Sequence, residues 1–195
     1  MTGIHDMTLT FRKMLPRFVK AATFAIAASA LATAQSAAAP GAEPQPQSQL
    51  PEVHLDANGL SPRPIEELTG TTIARHYALA WRDLALGLET DQADGLGEEF
   101  VGFLRDRFTQ RIDEQKQTGV HVRILDHGHH LKAVFYSMDG TAMQLADHAQ
   151  LEIQTFDGNK LVDRQNSPHD YIVLMTPGAD RWYVRDLREV SAKPF

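Results

Sequence analysis

The chain of 195 residues carries 25 acidic and 19 basic side chains, a formal net charge of −6, and contains no cysteine. The lack of cysteine excludes disulfide staples, a lipid-modified amino-terminal cysteine, thiolate metal ligands and cysteine nucleophiles. The acidic balance argues against nucleic acids and anionic lipids as partners.

Residues 1–34 have the composition of a secretory signal peptide. Four basic residues between positions 12 and 20 precede an uncharged, alanine-rich run from Ala21 to Ala34. This run is shorter than the roughly 20 residues that span a bilayer, and small residues at its end favour cleavage after Ala34. Met7 could be the true start. We expect an exported protein, periplasmic or secreted; the alternative is an uncleaved anchor in the inner membrane.

Residues 35–60 are rich in Pro, Gln, Ala and Ser and have little to bury, so we predict a disordered linker. Residues 61–195 are then long enough for a single domain. Removal of the four basic residues and one acid in residues 1–34 leaves 15 basic and 24 acidic residues, and the net charge becomes −9.

Two helices are predicted at the start of this domain. Apolar residues recur every three or four positions between residues 65 and 88, and again between residues 100 and 112. Gly119 is a typical helix stop. The predicted buried stripes consist of Ile73, Tyr77, Trp81, Leu84 and Leu88 in the first helix, and Phe100, Phe103, Leu104, Phe108 and Ile112 in the second.

After Gly119 the apolar period changes from 3.6 to 2, which predicts strands. The segments "VHVRIL", "LKAVFYS", "TAMQLADHAQLEIQTF", "DYIVLMT" and "RWYVRDLREV" are separated by turn residues, including the Asp-Gly pair of a tight hairpin. Helices followed by a meander indicate an α+β domain, in which N-terminal helices cover a curved antiparallel sheet of four to five strands.

This order resembles the NTF2-like superfamily. The resemblance covers about residues 65–192 and is carried by the "ALAWRDLALGL" helix, the long "MQLADHAQLEIQTFDG" strand and the closing "DRWYVRDLREV". It implies a cone formed by a curved sheet and helices. The superfamily includes isomerases, dehydratases, transport factors and structural envelope domains, so function has to be argued from the site itself.

Asp147 is the first candidate for chemistry. Unbroken alternation places it on the same face as Met143, Leu145, Ala149 and Leu151. Desolvation would raise the pKa of such a carboxyl, and it could serve as a general base with Tyr136, Tyr171 or a histidine as its partner. The resemblance implies the same, because ketosteroid-isomerase-like members carry catalytic acids inside the cone. Two alternatives are a β-bulge that turns Asp147 outward and an ion pair with Arg185.

The stretch "LDHGHH" is the second candidate. In an extended strand His127 and His129 would share one face, with a spacing suited to two imidazole ligands of a metal. Further ligands could come from His148, His169 or Asp170. Gly128 and Asp126 are turn formers, however, so the preferred prediction is a solvent-exposed connection between the first two strands without a native metal.

Ser167 lies close to His169 and Asp170 in the sequence. Neighbours along one strand do not by themselves form a catalytic triad, since a triad requires convergent side chains.

Three functions remain open. The preferred one is an exported, non-enzymatic domain without a cofactor that binds a partner protein or a small apolar ligand in its cone, with a possible homodimer through the sheet. The first alternative is an isomerase- or dehydratase-like enzyme that uses Asp147 as its base. The second is a periplasmic metal-binding protein that uses His127 and His129.

Overall fold

The structure, a computed structural model, describes residues 49–190. The predicted signal peptide and most of the predicted linker lie outside these residues. The elements in chain order are β1 (Val53–Asp56), α1 (Glu67–Thr90), a short 3₁₀ helix (Asp94–Glu98), α2 (Phe103–Thr118), β2 (Val120–Tyr136), β3 (Met143–Asp157), β4 (Lys160–Pro177) and β5 (Trp182–Glu189).

The five strands form one sheet in the order β1-β2-β3-β4-β5. The pairs from β2 to β5 are antiparallel, as predicted, whereas β1 runs parallel to β2. The α+β prediction is confirmed: two helices pack on an open five-stranded sheet, an arrangement consistent with a cone-like fold. The sheet is mixed rather than purely antiparallel because of β1.

The position of β1 corrects the predicted linker, which extended to residue 60. The "VHLD" segment alternates, and Val53 and Leu55 pack against the hydrophobic core. The alternation of apolar and polar residues in this segment indicates a strand, although the average composition of residues 35–60 is that of a linker. The composition of the 26 residues from 35 to 60 concealed a strand of four residues, two of which have partly buried side chains.

α1 forms where the apolar spacing places it, whereas Phe100, predicted in the stripe of the second helix, precedes α2 and forms a β-bridge with Val184. Gly119 caps the end of α2 in a left-handed conformation with φ 70°, as predicted. One predicted core residue is wrong: Phe103 is 94% exposed. It is the first residue of α2, and the buried positions Leu104, Ile112 and Gln115 lie on another side of that helix. One residue corresponds to about 100° of helical rotation, so Phe103 points into solvent.

The "LDHGHH" stretch is not a connection between two strands, because β2 runs through it without interruption. The pairing of β2 with β3 shifts between Asp126 and His129, which is a β-bulge. Gly128 there has φ 119°, and a Cβ at this position would come within 3.2 Å of the carbonyl oxygen of Glu52. His129 donates its backbone N–H to that same oxygen over 2.9 Å. Gly128, which was predicted to form a turn, is therefore part of a β-bulge.

The helices cover one side of the sheet, here called the inner face, which includes Leu131, Leu145, Asp147 and Val173. The other side, the outer face, includes His130, Lys132 and His148 and is open to solvent. Among residues 49–190, neither helix combines the length and apolar character that crossing a membrane requires.

Candidate functional site

Four polar side chains, here called the polar network, form a hydrogen-bonded chain between α1 and the inner face. Tyr77 donates its hydroxyl to Oδ2 of Asp147 over 2.7 Å. Nδ1 of His129 lies 2.8 Å from that same oxygen, and Nε2 of His129 lies 2.9 Å from Oδ2 of Asp126. The side chains of His129 and Asp147 are both 0% exposed. The imidazole is therefore held between two carboxylates inside the domain.

The bulge in β2 makes this arrangement possible. Asp126 and His129 are three positions apart, so in a regular strand the two side chains would point to opposite faces. The extra residue at the bulge puts both on the inner face, and Gly128 donates its N–H to Oδ1 of Asp126 over 2.9 Å. Asp147 arrives from β3, where it pairs with Leu131 on one side and Tyr171 on the other.

The charges of the polar network follow from its geometry. Burial lowers the pKa of His129, but the hydrogen bonds to Asp126 and Asp147 and their negative charges outweigh burial and raise this pKa to about 9. His129 is thus an imidazolium at neutral pH, and each of its two ring N–H groups donates a hydrogen bond to a carboxylate. Burial, and then the charge of Asp147, raises the pKa of Tyr77 well above its usual range, so its hydroxyl stays a donor.

Within the described residues, two buried polar atoms of this region have no hydrogen-bond partner: Oδ1 of Asp147 and Nε1 of Trp81. The Trp81 ring packs on His129, with 4.9 Å between centroids, and on Tyr171, with 5.4 Å. An unpaired buried acceptor costs about 1–3 kcal/mol, so the burial of Oδ1 of Asp147 lowers the stability of the fold.

A cleft of about 250 Å³ opens next to the polar network. Residues 49–52, α1 and β2 form its walls. Trp81 and Asp126 belong both to this lining and to the surroundings of His129, whereas Asp147 is not part of the lining. The apolar lining consists of Leu50, Pro51, Trp81, Ala85, Ile124 and Leu125, and the polar lining includes Glu52, Arg82, Asp126 and His127.

A larger depression, of about 490 Å³, runs along the exposed side of α2. Its lining comes from residues 106–117 of that helix alone. A single convex helix cannot enclose a ligand, so the smaller cleft is the better candidate site.

Asp147 points inward, as the alternation predicts, and no bulge turns it to solvent. Its charged partner is His129 rather than Arg185, which donates Nε to the hydroxyl of Thr176. Tyr171 lies directly across from Asp147 on the neighbouring strand. Burial, followed by nearby carboxylates, raises the pKa of Tyr171. Tyr136 is not brought to this site: it pairs with Met143 at the far end of β2 and packs against Trp182.

The predicted histidine ligands do not converge on one point. The bulge separates His127, which is exposed, from His129, which is buried, so the expectation that they share a face is wrong. His148 lies on the outer face with Nδ1 2.8 Å from Asp170, and His169 faces inward with Nδ1 2.7 Å from Glu189. Among residues 49–190, no three His, Asp or Glu side chains are arranged to hold a metal ion.

Tyr77 and Asp126 are the members of the polar network that sequence reasoning missed as functional groups. Tyr77 was expected to be part of an apolar stripe, and the ring does pack in the core at 0% exposure. The hydroxyl of Tyr77 could have indicated a polar partner inside the domain, because the hydroxyl of a buried tyrosine usually needs a hydrogen-bond partner. Asp126 was hidden by the bulge, which a sequence pattern with a fixed period cannot represent.

Comparisons with known proteins give a fold but no family. No protein-family model matches the chain, and no curated protein matches it. The chain is similar in structure to the intermembrane space region of chloroplast protein ARC6, with 14% identity and a TM-score of 0.57 over 67% of this chain and 100% of that one. A Catenulispora acidiphila protein in complex with S-DNPA has a TM-score of 0.42 at 10% identity, over 64% of this chain and 93% of that chain, which is too low to carry an argument.

Proposed function

We propose that this protein is an exported domain that binds a small, largely apolar ligand, without converting it, in the cleft between residues 49–52, α1 and β2. The observation that carries this proposal is the cleft itself, about 250 Å³ in volume, with an apolar wall and a few polar groups. Small-molecule sites have this composition: apolar side chains supply most of the contact area, and a few polar groups fix the orientation of the ligand.

The size and charge of the cleft narrow the class of ligand. A volume of about 250 Å³ lies just below the range of about 300–1,000 Å³ of typical ligand pockets, so the ligand is one or two rings in size. The indole of Trp81 offers a flat apolar surface. Positive and negative groups balance around the cleft, because Asp126 is paired with the His129 imidazolium and Arg82 lines the cleft as well as Glu52, so the lining favours an uncharged ligand.

The polar network supports binding over catalysis. A general base needs a free lone pair within reach of its substrate. Both ring nitrogens of His129 already face carboxylates, and its raised pKa keeps it protonated. Asp147 lies behind Trp81 and outside the cleft lining. We infer that the network fixes the position of Trp81 and Asp126, which form the inner wall of the cleft.

The binding proposal can be tested with the uncharged two-ring fluorescent dye 1-naphthylamine. We expect saturable binding of one dye per chain. Ala85→Phe fills the cleft and should weaken binding at least about tenfold, which corresponds to about 1.4 kcal/mol. The matched control is Leu86→Phe, because Leu86 is the adjacent residue and is 46% exposed. It should leave the affinity unchanged.

Two outcomes would reject the binding proposal. One is the absence of saturable binding by the wild-type chain. The other is an equal affinity of Ala85→Phe and Leu86→Phe for the dye, with both variants melting as the wild type does, because the dye would then bind elsewhere.

A second candidate function is favoured by one observation, the unpartnered Oδ1 of Asp147. In this alternative Asp147 is a general base that removes a proton next to a carbonyl, with Tyr171 as the neighbouring acid. The test is deuterium exchange at the α-carbon of a small cyclic ketone in D₂O, followed by NMR. Exchange that the wild type catalyses and Asp147→Asn does not would favour the enzyme.

Export and membership of the NTF2-like superfamily complete the proposal. Export rests on residues 1–34, and the superfamily on the element order together with the open α+β sheet. Sequencing the amino terminus of protein made in a Gram-negative host should give Gln35 or a residue within a few positions of it. Intact Met1 or Met7 in the membrane fraction would support the anchored alternative instead.

A further inference from the structure

A serine, a histidine and a glutamate form a second hydrogen-bonded chain on the inner face, separate from the polar network. Oγ of Ser167 lies 3.2 Å from Nε2 of His169. Nδ1 of the same ring lies 2.7 Å from Oε1 of Glu189. A nucleophile within reach of a base, and a base oriented by an acid, is the arrangement that activates a serine hydroxyl.

Strand geometry explains why these three side chains meet. Ser167 and His169 are two residues apart on β4, so both point to the inner face. Glu189 on β5 pairs with Tyr171, which puts the carboxylate diagonally across from His169. Asp170, the acid next to His169 in the sequence, points to the outer face and pairs with His148. The acid that completes the chain therefore comes from another strand.

The hydrogen bonds also fix the direction of proton transfer. The Glu189 carboxylate can only accept, so Nδ1 of His169 carries the proton and Nε2 presents its lone pair to Ser167. The ring of Tyr171 stacks on His169, with 6.3 Å between centroids, and restricts its rotation. The His169 side chain is 12% exposed, and Ser167 is half-buried, so part of each residue is open to solvent.

We propose that Ser167 is a nucleophile that accepts acyl groups from small esters, with His169 as its base and Glu189 as the residue that positions His169. This proposal goes beyond ligand binding and does not depend on it. Ser167 pairs with Leu151, which pairs with Asp126 at the cleft wall. Two strand spacings, about 10 Å, thus separate the hydroxyl from the cleft along the same face.

The reaction proceeds in two halves. Oγ of Ser167 attacks the carbonyl carbon of the ester while Nε2 of His169 takes the hydroxyl proton. The carbon–oxygen bond to the alcohol then breaks, and His169 returns the proton to the departing oxygen. Water repeats the sequence on the acyl-serine, releases a carboxylic acid and restores the hydroxyl. No oxidant, reductant or metal enters this balance.

The experiment uses an aryl fluorophosphonate, which forms a phosphorus–oxygen bond to an activated serine as fluoride leaves. We expect one adduct per chain, located on Ser167 by peptide mass mapping. Ser167→Ala should abolish this adduct. His169→Gln should slow labelling at least about 10²-fold, the usual contribution of a general base. Glu189→Gln should slow it less, because the base remains in place.

Ser137→Ala is the matched control. Ser137 also has a hydrogen-bonded hydroxyl, but its partner is the carboxylate of Asp139, 2.7 Å away, and not a histidine. This variant should be labelled at the wild-type rate. The proposal is overturned if the wild type is not labelled, if the adduct lies on another residue, or if His169→Gln reacts at the wild-type rate. Unchanged melting of each variant shows that the fold is intact.

Discussion

His129 and His130 are neighbours in the chain and have opposite surroundings. His129 lies on the inner face, 1% exposed, between two carboxylates and under the ring of Trp81. His130 lies on the outer face, exposed, and stacks on His54 with 5.3 Å between ring centroids. A buried histidine ring and an exposed one are thus neighbours in the chain, and the alternation of the strand puts them on opposite faces.

The outer face repeats the inner arrangement in a weaker form. On the inner face Asp147 pairs with His129, and both side chains are 0% exposed. On the outer face Asp170 pairs with His148 at the same distance of 2.8 Å, but the histidine and aspartate side chains are 48% and 65% exposed. Equal distances therefore do not mean equal energies. Water screens the outer pair, whereas the inner pair has lost its solvent and depends on its partners.

The largest expected effect comes from removing the histidine on each face. His129→Ala leaves Asp147 buried without its charged partner and should lower the free energy of unfolding by about 3–5 kcal/mol. His130→Ala removes an exposed ring and should change it by less than about 0.5 kcal/mol. Urea unfolding followed by circular dichroism measures both. Similar losses in the two variants would remove the distinction between the faces.

The pH dependence of stability gives the second effect. The pKa of His129 rises from 6.5 in the unfolded chain to about 9 in the folded one, where Asp126 from β2, Asp147 from β3 and Tyr77 from α1 surround the ring. Because the pKa of His129 is higher in the folded state, its protonation stabilises the fold fully below pH 6.5. This stabilisation is lost as the pH rises through about 9. The loss amounts to about 3 kcal/mol, at about 1.4 kcal/mol per pKa unit.

Unfolding in urea at several pH values between 6.5 and 9 measures this slope. His129→Gln should lack the histidine contribution, and His130→Gln should keep it. A wild-type slope that persists in His129→Gln would mean that another group titrates in this range.

The hydroxyl of Tyr77 provides a smaller effect. Tyr77→Phe keeps the buried ring and removes the donor to Oδ2 of Asp147, so we expect a loss of about 1–3 kcal/mol in unfolding free energy. Tyr171→Phe is the control. The ring of Tyr171 also packs on Trp81, but its hydroxyl makes no side-chain hydrogen bond to the described residues. This substitution should cost less than about 0.5 kcal/mol. Equal costs would show that ring packing, and not the hydroxyl, matters.

Periodicity predicts this fold well wherever side chains alternate without interruption. The six inward residues of β3, from Met143 to Ile153, are all buried, and the helical stripe of α1 is buried as expected. These predictions rest on local geometry, which a sequence carries directly. Phe103 shows the limit: α2 begins at this residue rather than at or before Phe100, and the ring of Phe103 lies off the buried side of the helix and points into solvent.

The site could be predicted only in part. The inward orientation of Asp147 follows from alternation, but its partners come from α1 and from the far side of a bulge. A bulge changes which residues share a face, and Gly128 signals a turn as well as a bulge. Glu189 likewise reaches His169 through the β4–β5 register. Long-range pairing of this kind depends on the whole sheet and leaves no fixed spacing in the sequence.

The smallest expected change in unfolding free energy comes from the exposed His148–Asp170 pair on the outer face. Asp170→Asn removes the charge next to His148, and exposed pairs of this kind contribute about 0–1 kcal/mol. We expect a change below about 0.5 kcal/mol at 0.15 M salt that becomes undetectable near 1 M, where the screening length falls to about 3 Å. Urea unfolding at both salt concentrations measures it.

A loss of several kcal/mol, independent of salt, would mean that the outer face is covered in solution, as in a dimer through the sheet. The His54–His130 stack would then be buried as well, and His130→Ala should destabilise the protein to a similar extent.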